Sequence, residues 1–404
     1  MADHQILIVG GGAAGIATAA SLHKRDTSLK ITIVEPSLTH YYQPGWTMVG
    51  AGTFKKEETM RSTASVMPTY VTHIKGAVAS FQPNANVVTL EDGTTLSYDY
   101  LVVAAGLQLD WAAIEGLEDA LGKNGVTSNY RYDLAPYTWE LVQKMCGREA
   151  IFTQPPMPIK CAGAPQKAMY LSCSSWTTAN KIKDINVSFC NAGPVLFGCA
   201  DYVPPLMEYV ERYGINLDFG YNLVKVDGPN QTATFKVTKE GQEPQIVERK
   251  FDMLHVCPPQ CAPDFIKNSP LANEGGWMAV DQATLQSTIA PNVFGLGDVT
   301  STPNAKTAAA ARKQAPIVAD NLIAQMKGAA MPQAYDGYGS CPLTVEHGKI
   351  ILAEFGYGGK LMPSFPWDST KPRRSAWFLK KSVLPWVYWN AMLKGKEWLV
   401  KTTS

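Results

Sequence analysis

Residues 6–15 constrain this chain more than any other segment. Ile6, Leu7, Ile8 and Val9 form an apolar run, and Gly10-Gly11-Gly12-Ala13-Ala14-Gly15 follows directly. A short apolar run closed by glycine reads as a buried strand. The glycine spacing is G-x-G-x-x-G. Gly10 permits a tight turn, Gly12 lets the backbone approach a pyrophosphate, and Gly15 lets the next helix pack close to the strand. Small residues from Ala17 to Leu22 supply that helix. Residues 30–34 supply a second strand ending at Glu35, twenty positions after Gly15. The spacing predicts a βαβ unit that binds a dinucleotide. The helix N-terminus faces its phosphates, and Glu35 accepts hydrogen bonds from its ribose.

The rest of the composition narrows the class. The chain has 404 residues, 46% hydrophobic and 18% charged, which excludes collagen-like, disordered and small disulfide-scaffold proteins. Its length allows two to three structural units. A net charge of +1 gives no support for a nucleic-acid binder. No apolar run reaches the roughly 18 residues of a transmembrane helix. The strand begins almost at the first residue, so no signal or transit peptide is expected.

The near-neutral average hides an asymmetric end. From Lys371 onward there are eight basic residues and one acid, Glu397, with four of the ten tryptophans (Trp377, Trp386, Trp389, Trp398). Residues 382–393 are uncharged and lie between Lys381 and Lys394. As a helix they rise roughly 18 Å, short of the roughly 30 Å hydrocarbon core. Pro385 is expected to split them into two short helices. Trp, Tyr and Lys around a short apolar stretch compose an interfacial membrane anchor. The alternative is an ordinary packed C-terminal helix pair.

Leu101-Val102-Val103-Ala104-Ala105-Gly106 reads as a buried strand, and residues 288–298 as a strand ending in Gly297-Asp298. Both resemble motifs of flavoproteins built from two dinucleotide-binding domains, in which the Asp holds the flavin ribityl chain. The following helix, 307–322, would point its N-terminus at the isoalloxazine and favour negative charge there. Ala150-Ile151-Phe152-Thr153 should open the second domain. A nicotinamide-binding domain would continue with glycines, but here Gln154-Pro155-Pro156-Met157-Pro158 fills the turn. NAD(P)H binding is therefore not expected.

There are eight cysteines. Without an export signal, a disulfide framework is not the default. Cys257 and Cys261 flank Pro-Pro-Gln, with no second ligand pair at zinc spacing, so no metal is expected. Cys161 precedes Pro165, which reads as the first residue of a helix. A thiol there, between Lys160 and Lys167, should ionise below its usual range. Cys341 lies in a turn entering a strand. Spacing alone does not bring Cys161 and Cys341 together, and on composition each reads first as an inert thiol.

Three stretches change that weighting: His40-Tyr41-Tyr42-Gln43-Pro44-Gly45-Trp46, residues 158–167 around Cys161, and Ser340-Cys341-Pro342-Leu343 with Ile351-Leu352-Ala353-Glu354-Phe355. With them the chain resembles, nearly end to end, the sulfide:quinone oxidoreductase family, in the branch that includes the mitochondrial type. The resemblance implies an α/β fold of two Rossmann-like three-layer domains, as in glutathione reductase, with a C-terminal amphipathic membrane-binding segment. The expected boundaries are 1–112 and 288–340 for the FAD domain, 113–287 for the second domain and 341–404 for the C-terminal redox-cysteine and quinone region. It implies that Cys161 and Cys341 face one another beside FAD and cycle through a disulfide or sulfur-bridged state. Gly10, Gly12, Ala13, Ala14, Gly15, Glu35, Gln43, Val78, Gly106, Asp298, Ala308, Ala309, Ala310 and Ala311 then belong to the FAD site. Many family members carry a third cysteine in the segment matching Val126-Thr127-Ser128-Asn129. None stands here, which argues for non-covalent FAD. Cys173, Cys190, Cys199, Cys257 and Cys261 are expected to be structural.

The implied partners are sulfide, quinone, a small sulfane-sulfur acceptor and a membrane surface, with no nucleic acid; a homo-oligomer is allowed. The implied location is peripheral, on a bacterial cell membrane. Two related readings stand beside this one: a type II NADH:quinone oxidoreductase, and the flavin subunit of a flavocytochrome c sulfide dehydrogenase.

Overall fold

The computed structural model describes residues 4–400. Strand β1 (His4–Val9) leads through the glycine turn into helix α1 (Ala13–Arg25), and β2 (Ile31–Val34) returns parallel to β1. The helix extends beyond 17–22 at both ends. Gly10 has φ of +103°, and its carbonyl oxygen occupies the space a Cβ on Gly15 would need. Both positions thus require glycine, one for conformation and one for close approach.

Strands β3 (Val71–Ile74), β4 (Val78–Gln82), β5 (Val87–Leu90) and β6 (Thr95–Val103) complete the N-terminal part of a sheet ordered β3-β2-β1-β6-β5-β4. Alternate residues face opposite sides. Ile6, Ile8, Ile33 and Val102 pack on one side with Ile16 and Leu22 of α1. Leu7, Val9, Leu101 and Val103 pack on the other with Phe81 and Leu96.

A second, all-parallel sheet has the order β7-β11-β8-β9-β10, formed by β7 (Val126–Thr127), β8 (Glu149–Gln154), β9 (Asn186–Asn191), β10 (Asn216–Phe219) and β11 (Met253–His255). Helix α2 (Ala164–Thr178) follows β8, with Pro165 in its first turn. The chain then returns to the first sheet, where β12 (Val293–Gly295) pairs parallel with β6. This strand is shorter than the 288–298 read from sequence. Pro291 lacks an N–H, and the Ser287 hydroxyl accepts the N–H groups of Ile289 and Ala290, closing a turn where a strand was expected.

Helix α3 (Ala308–Met326) is capped by Thr307, whose hydroxyl accepts from the Ala310 N–H. Strands β13 (Gly339–Glu346) and β14 (Lys349–Phe355) form an antiparallel hairpin that is a two-stranded sheet of its own. Cys341 lies inside β13, not in the turn before it. Cys341, Leu343, Ile351 and Ala353 join the core of the second domain, while Ile350 and Leu352 face the C-terminal segment.

The C-terminal segment forms α4 (Arg374–Phe378), a wide π-type turn (Leu379–Val383) and α5 (Leu384–Asn390). These three run on without a gap, so Pro385 does not split the stretch into two helices as expected; the wide turn just before it accommodates a proline that lacks an N–H. Much of the uncharged stretch packs inward: Tyr388, Trp389, Met392 and Leu393 belong to the core of the first sheet. Lys401 lies outside the described residues. Among the described residues, no helix is long and apolar enough to cross a membrane.

Candidate active site

One cavity of about 470 Å³ runs from the glycine turn to the C-terminal helices. Gly10, Gly12, Ala13, Ala14, Glu35, Gln43, Gly106, Asp298, Ala308, Ala309, Ala311 and Cys161 all line it. Gly15 and Ala310 do not: Gly15 packs against the Gly10 carbonyl, and Ala310 is buried behind the Thr307 cap. Val78 also stands apart, at the start of β4 in the core on the far side of the first sheet.

The glycine turn is shaped for a polar ligand. A Cβ on Gly12 would meet nothing within 4 Å, so its outer side is open to the cavity. The Glu35 carboxylate accepts the Gly11 N–H at 2.7 Å and the Ser37 N–H at 2.7 Å, which fixes it at the rim. Several buried polar atoms on cavity-lining residues have no partner among the described residues: Trp46 Nε1, Thr47 Oγ1, Arg312 Nε and both amide atoms of Asn129. Buried polar atoms are seldom left unpaired. Together with the helix N-termini of α1 and α3, they fit a bound dinucleotide such as FAD. Burial raises the Asp298 carboxyl above its usual range, opposed by the Lys306 and Lys160 charges.

Cys161 and Cys341 meet despite their separation of 180 residues; their Sγ atoms are 3.6 Å apart. Close approach of α2 to β13 brings this about. Leu343 fills the space a side chain on Gly163 would take. Cys161 adopts φ of +82°, a conformation that costs a non-glycine residue about 1–3 kcal/mol. Lys167 Nζ donates to Cys161 Sγ at 3.1 Å. The hydrogen bond from Cys341, then the Lys167 ammonium, hold the Cys161 thiol well below its ordinary range. Cys341 is pushed well above that range by its bond to Cys161 and by burial. The two shifts run in opposite directions, and of the pair Cys161 is the one whose surroundings favour the thiolate.

Sequence reasoning missed three groups that line the same cavity. Lys380 is buried, donates to the Pro44 carbonyl at 3.3 Å, and is lowered to about 7 by burial and by the Lys167 charge. In the sequence it was only one of the eight basic residues of the tail. Lys306, lowered to about 8 by burial, bonds the Thr300 carbonyl at 2.8 Å. His40 bonds the Gly11 carbonyl through Nδ1 at 3.2 Å and Tyr388 Oη through Nε2 at 2.6 Å. Burial lowers it to about 4, so it is neutral. It ties the C-terminal helix to the dinucleotide turn. The motif containing His40 was visible, but its partner, 348 positions away, was not.

The turn between β8 and α2 carries Pro155, Pro156 and Pro158 and the buried Ile159. Lys160 Nζ bonds Gln43 Oε1 at 2.8 Å, and its N–H bonds Gln260 Oε1 at 2.7 Å. Cys173, Cys190, Cys199 and Cys257 are buried, and Cys261 is half-buried. Burial raises all five thiols above their ordinary range. Thr127, Ser128 and Asn129 are buried, and of the three Asn129 lines the cavity.

Residues 4–138 match the pyridine nucleotide-disulphide oxidoreductase family. The chain is 43% identical over 403 residues to the mitochondrial sulfide:quinone oxidoreductase of Dictyostelium discoideum, covering 99% of this chain and 88% of that one. It is 39% identical over 392 residues to the mitochondrial enzyme of Mus musculus, covering 97% and 87%. Among solved structures, the sulfide:quinone oxidoreductase of Aquifex aeolicus has a TM-score of 0.77 at 20% identity, covering 96% of this chain and 92% of that one. The names of the two curated relatives carry a mitochondrial location, and they give no support to the expected bacterial cell membrane.

Proposed function

The chain belongs to the sulfide:quinone oxidoreductase family, an enzyme family that uses a flavin to oxidise sulfide with quinone, and on that premise we propose that Cys161 and Cys341 are the redox pair of this protein. The observation that carries the reading is the 3.6 Å contact of their sulfurs, with Cys161 lining the cavity that begins at the glycine turn.

In the oxidised pair, hydrosulfide attacks the Cys341 sulfur. The sulfur–sulfur bond breaks, Cys341 becomes a persulfide, and Cys161 leaves as thiolate. Lys167 stabilises that thiolate. A small acceptor thiolate, or further sulfide, then removes the outer sulfur from Cys341. Two thiolates remain, and closing the disulfide releases two electrons. FAD, when bound, would supply the two-electron acceptor between the cysteine pair and quinone; Gly10, Gly12, Ala13 and Ala14 would hold its pyrophosphate, Glu35 its ribose, and Asp298 with Ala308, Ala309 and Ala311 the flavin end. With no cysteine in 126–129, the cofactor is held without a covalent bond.

Quinone meets the cavity from the C-terminal side, where Phe365, Leu379 and Leu384 line it. Phe378, Trp386 and Trp398 are 64%, 47% and 52% exposed on the same segment, beside Lys381 and Lys394. Such a surface suits the membrane interface from which a quinone arrives.

The test is anaerobic addition of sulfide, then of a short-chain quinone, while following the flavin spectrum. Bleaching by sulfide and return with quinone are expected. A spectrum that sulfide leaves unchanged would overturn the reading.

A further inference from the structure

We propose that Glu354 supplies to quinone the proton that does not travel with the electron pair; this rests on the reading above that quinone enters from the C-terminal side. The hairpin β13–β14 places two chemistries back to back. Cys341 pairs with Ala353, and both face the core of the second domain. Ser340 pairs with Glu354 one position on, and Pro342 with Leu352. By the alternation of a strand these face the other way, and all four line the cavity. The backbone of the hairpin therefore separates Cys341 from Glu354, while Cys161 reaches the same cavity from α2.

Glu354 is 3% exposed. Its Oε1 accepts from Tyr338 Oη at 2.6 Å and from Ser364 Oγ at 2.6 Å, and its Oε2 accepts from the Ser364 N–H at 3.0 Å. Its own N–H is held by Tyr202 Oη at 3.1 Å, so the strand is fixed at this point. Among the described residues no ion pair involves Glu354. Its side-chain partners are two hydroxyls and one amide. A hydroxyl both donates and accepts, so this carboxyl group exchanges a proton without stranding Tyr338 or Ser364 Oγ. Ser364 is exposed and joins Glu354 to water. Phe365, next in the chain, lines the apolar end of the cavity. No part of the sulfur chemistry uses this cluster, and Glu354 lies in one of the stretches that mark the family.

The proton balance defines the role. Quinone takes up two electrons and two protons to become quinol. One proton accompanies the electron pair. For the second, the Glu354 O–H bond breaks as the quinol O–H bond forms, and water reprotonates the carboxylate through Ser364. The net supply is one proton from solvent.

The test uses the flavin-loaded protein reduced anaerobically with sulfide, then mixed with a short-chain quinone or with ferricyanide, which takes electrons without protons. If sulfide and quinone do not cycle the unaltered protein, the function proposed above fails. If they do, Glu354→Gln should slow reoxidation by quinone about 10²-fold or more, the usual scale of a positioned proton donor, and leave reoxidation by ferricyanide unchanged. The infrared difference spectrum of quinone binding should lose a carboxyl C=O band in that variant. Ser364→Ala, a milder change at an exposed position, should slow quinone and spare ferricyanide in the same way. Equal rates with quinone in both variants would overturn the proposal. So would an equal loss with both acceptors, which marks a structural role.

Discussion

The Sγ atoms of Cys161 and Cys341 lie 3.6 Å apart, with Lys167 Nζ 3.1 Å from the first of them. Cys161 alone of the two lines the large cavity. That asymmetry supports the different tasks proposed for the two thiols: a thiolate on the cavity side and a buried partner that carries the incoming sulfur. Cys161→Ser should keep its yellow flavin spectrum and lose bleaching by sulfide. Anaerobic spectroscopy checks this, and full turnover in the variant would refute the assignment.

Lys167 contributes charge and a hydrogen bond to the Cys161 thiolate. An opposite charge at this range favours the ionised thiol. Lys167→Met should therefore raise the midpoint of the pH profile for sulfide-driven bleaching. The rate should fall at neutral pH and recover in alkali as Cys161 ionises without help. A midpoint that stays in place would remove Lys167 from the mechanism.

The glycine spacing and the acid at Glu35 were sufficient to locate the βαβ unit, because they encode a local demand on the backbone: a tight turn, an open side and a close helix. The prolines at 155, 156 and 158 were legible for the same reason. The meeting of Cys161 with Cys341 was legible only through the family resemblance, not from local pattern. It depends on α2 packing against β13, and on Leu343 occupying the place left by Gly163, neither of which leaves a local signal. Sequence also misread the tail in part. Its tryptophans and uncharged residues suggested one lipid-facing surface. Yet Trp389 is buried with Tyr388 in the first core, while Trp386 and Trp398 stack at 5.5 Å between ring centroids on the outside. A helix of mixed faces gives the same composition either way.

Lys380 offers a pH signature. It is 4% exposed, and burial lowers it to about 7 from an ordinary 10.5. Below about pH 7 the folded protein carries the charge at a cost. Between about 7 and 10.5 the unfolded chain binds this proton and the folded chain does not, so stability rises with pH across that window. The rise is at most about 1.4 kcal/mol per pH unit. Lys380→Met should lack this contribution. Its stability advantage over the unaltered protein should be largest at or below pH 7 and shrink toward pH 10. Thermal melts of both proteins across that range check the sign, and an advantage that grows with pH would contradict it.

Membrane docking is tested best by surface substitutions, because truncating the tail would also remove Tyr388, Trp389, Met392 and Leu393 from the first core. Phe378, Trp386 and Trp398 present apolar surface outward on the segment that also carries Arg374, Lys381 and Lys394. Aromatic rings beside cations partition to the headgroup region, and anionic lipid strengthens the attraction. Changing all three aromatics to Ser should weaken flotation with anionic vesicles by about tenfold or more, since full burial of each large apolar side chain is worth about 1.5–3 kcal/mol. The melting temperature should stay within a few degrees of the unaltered protein, because these side chains do not fill the core. Reduction of a water-soluble quinone by sulfide should persist, while reduction of a quinone confined to the vesicle falls. Undiminished vesicle binding by the triple variant would place the docking surface elsewhere.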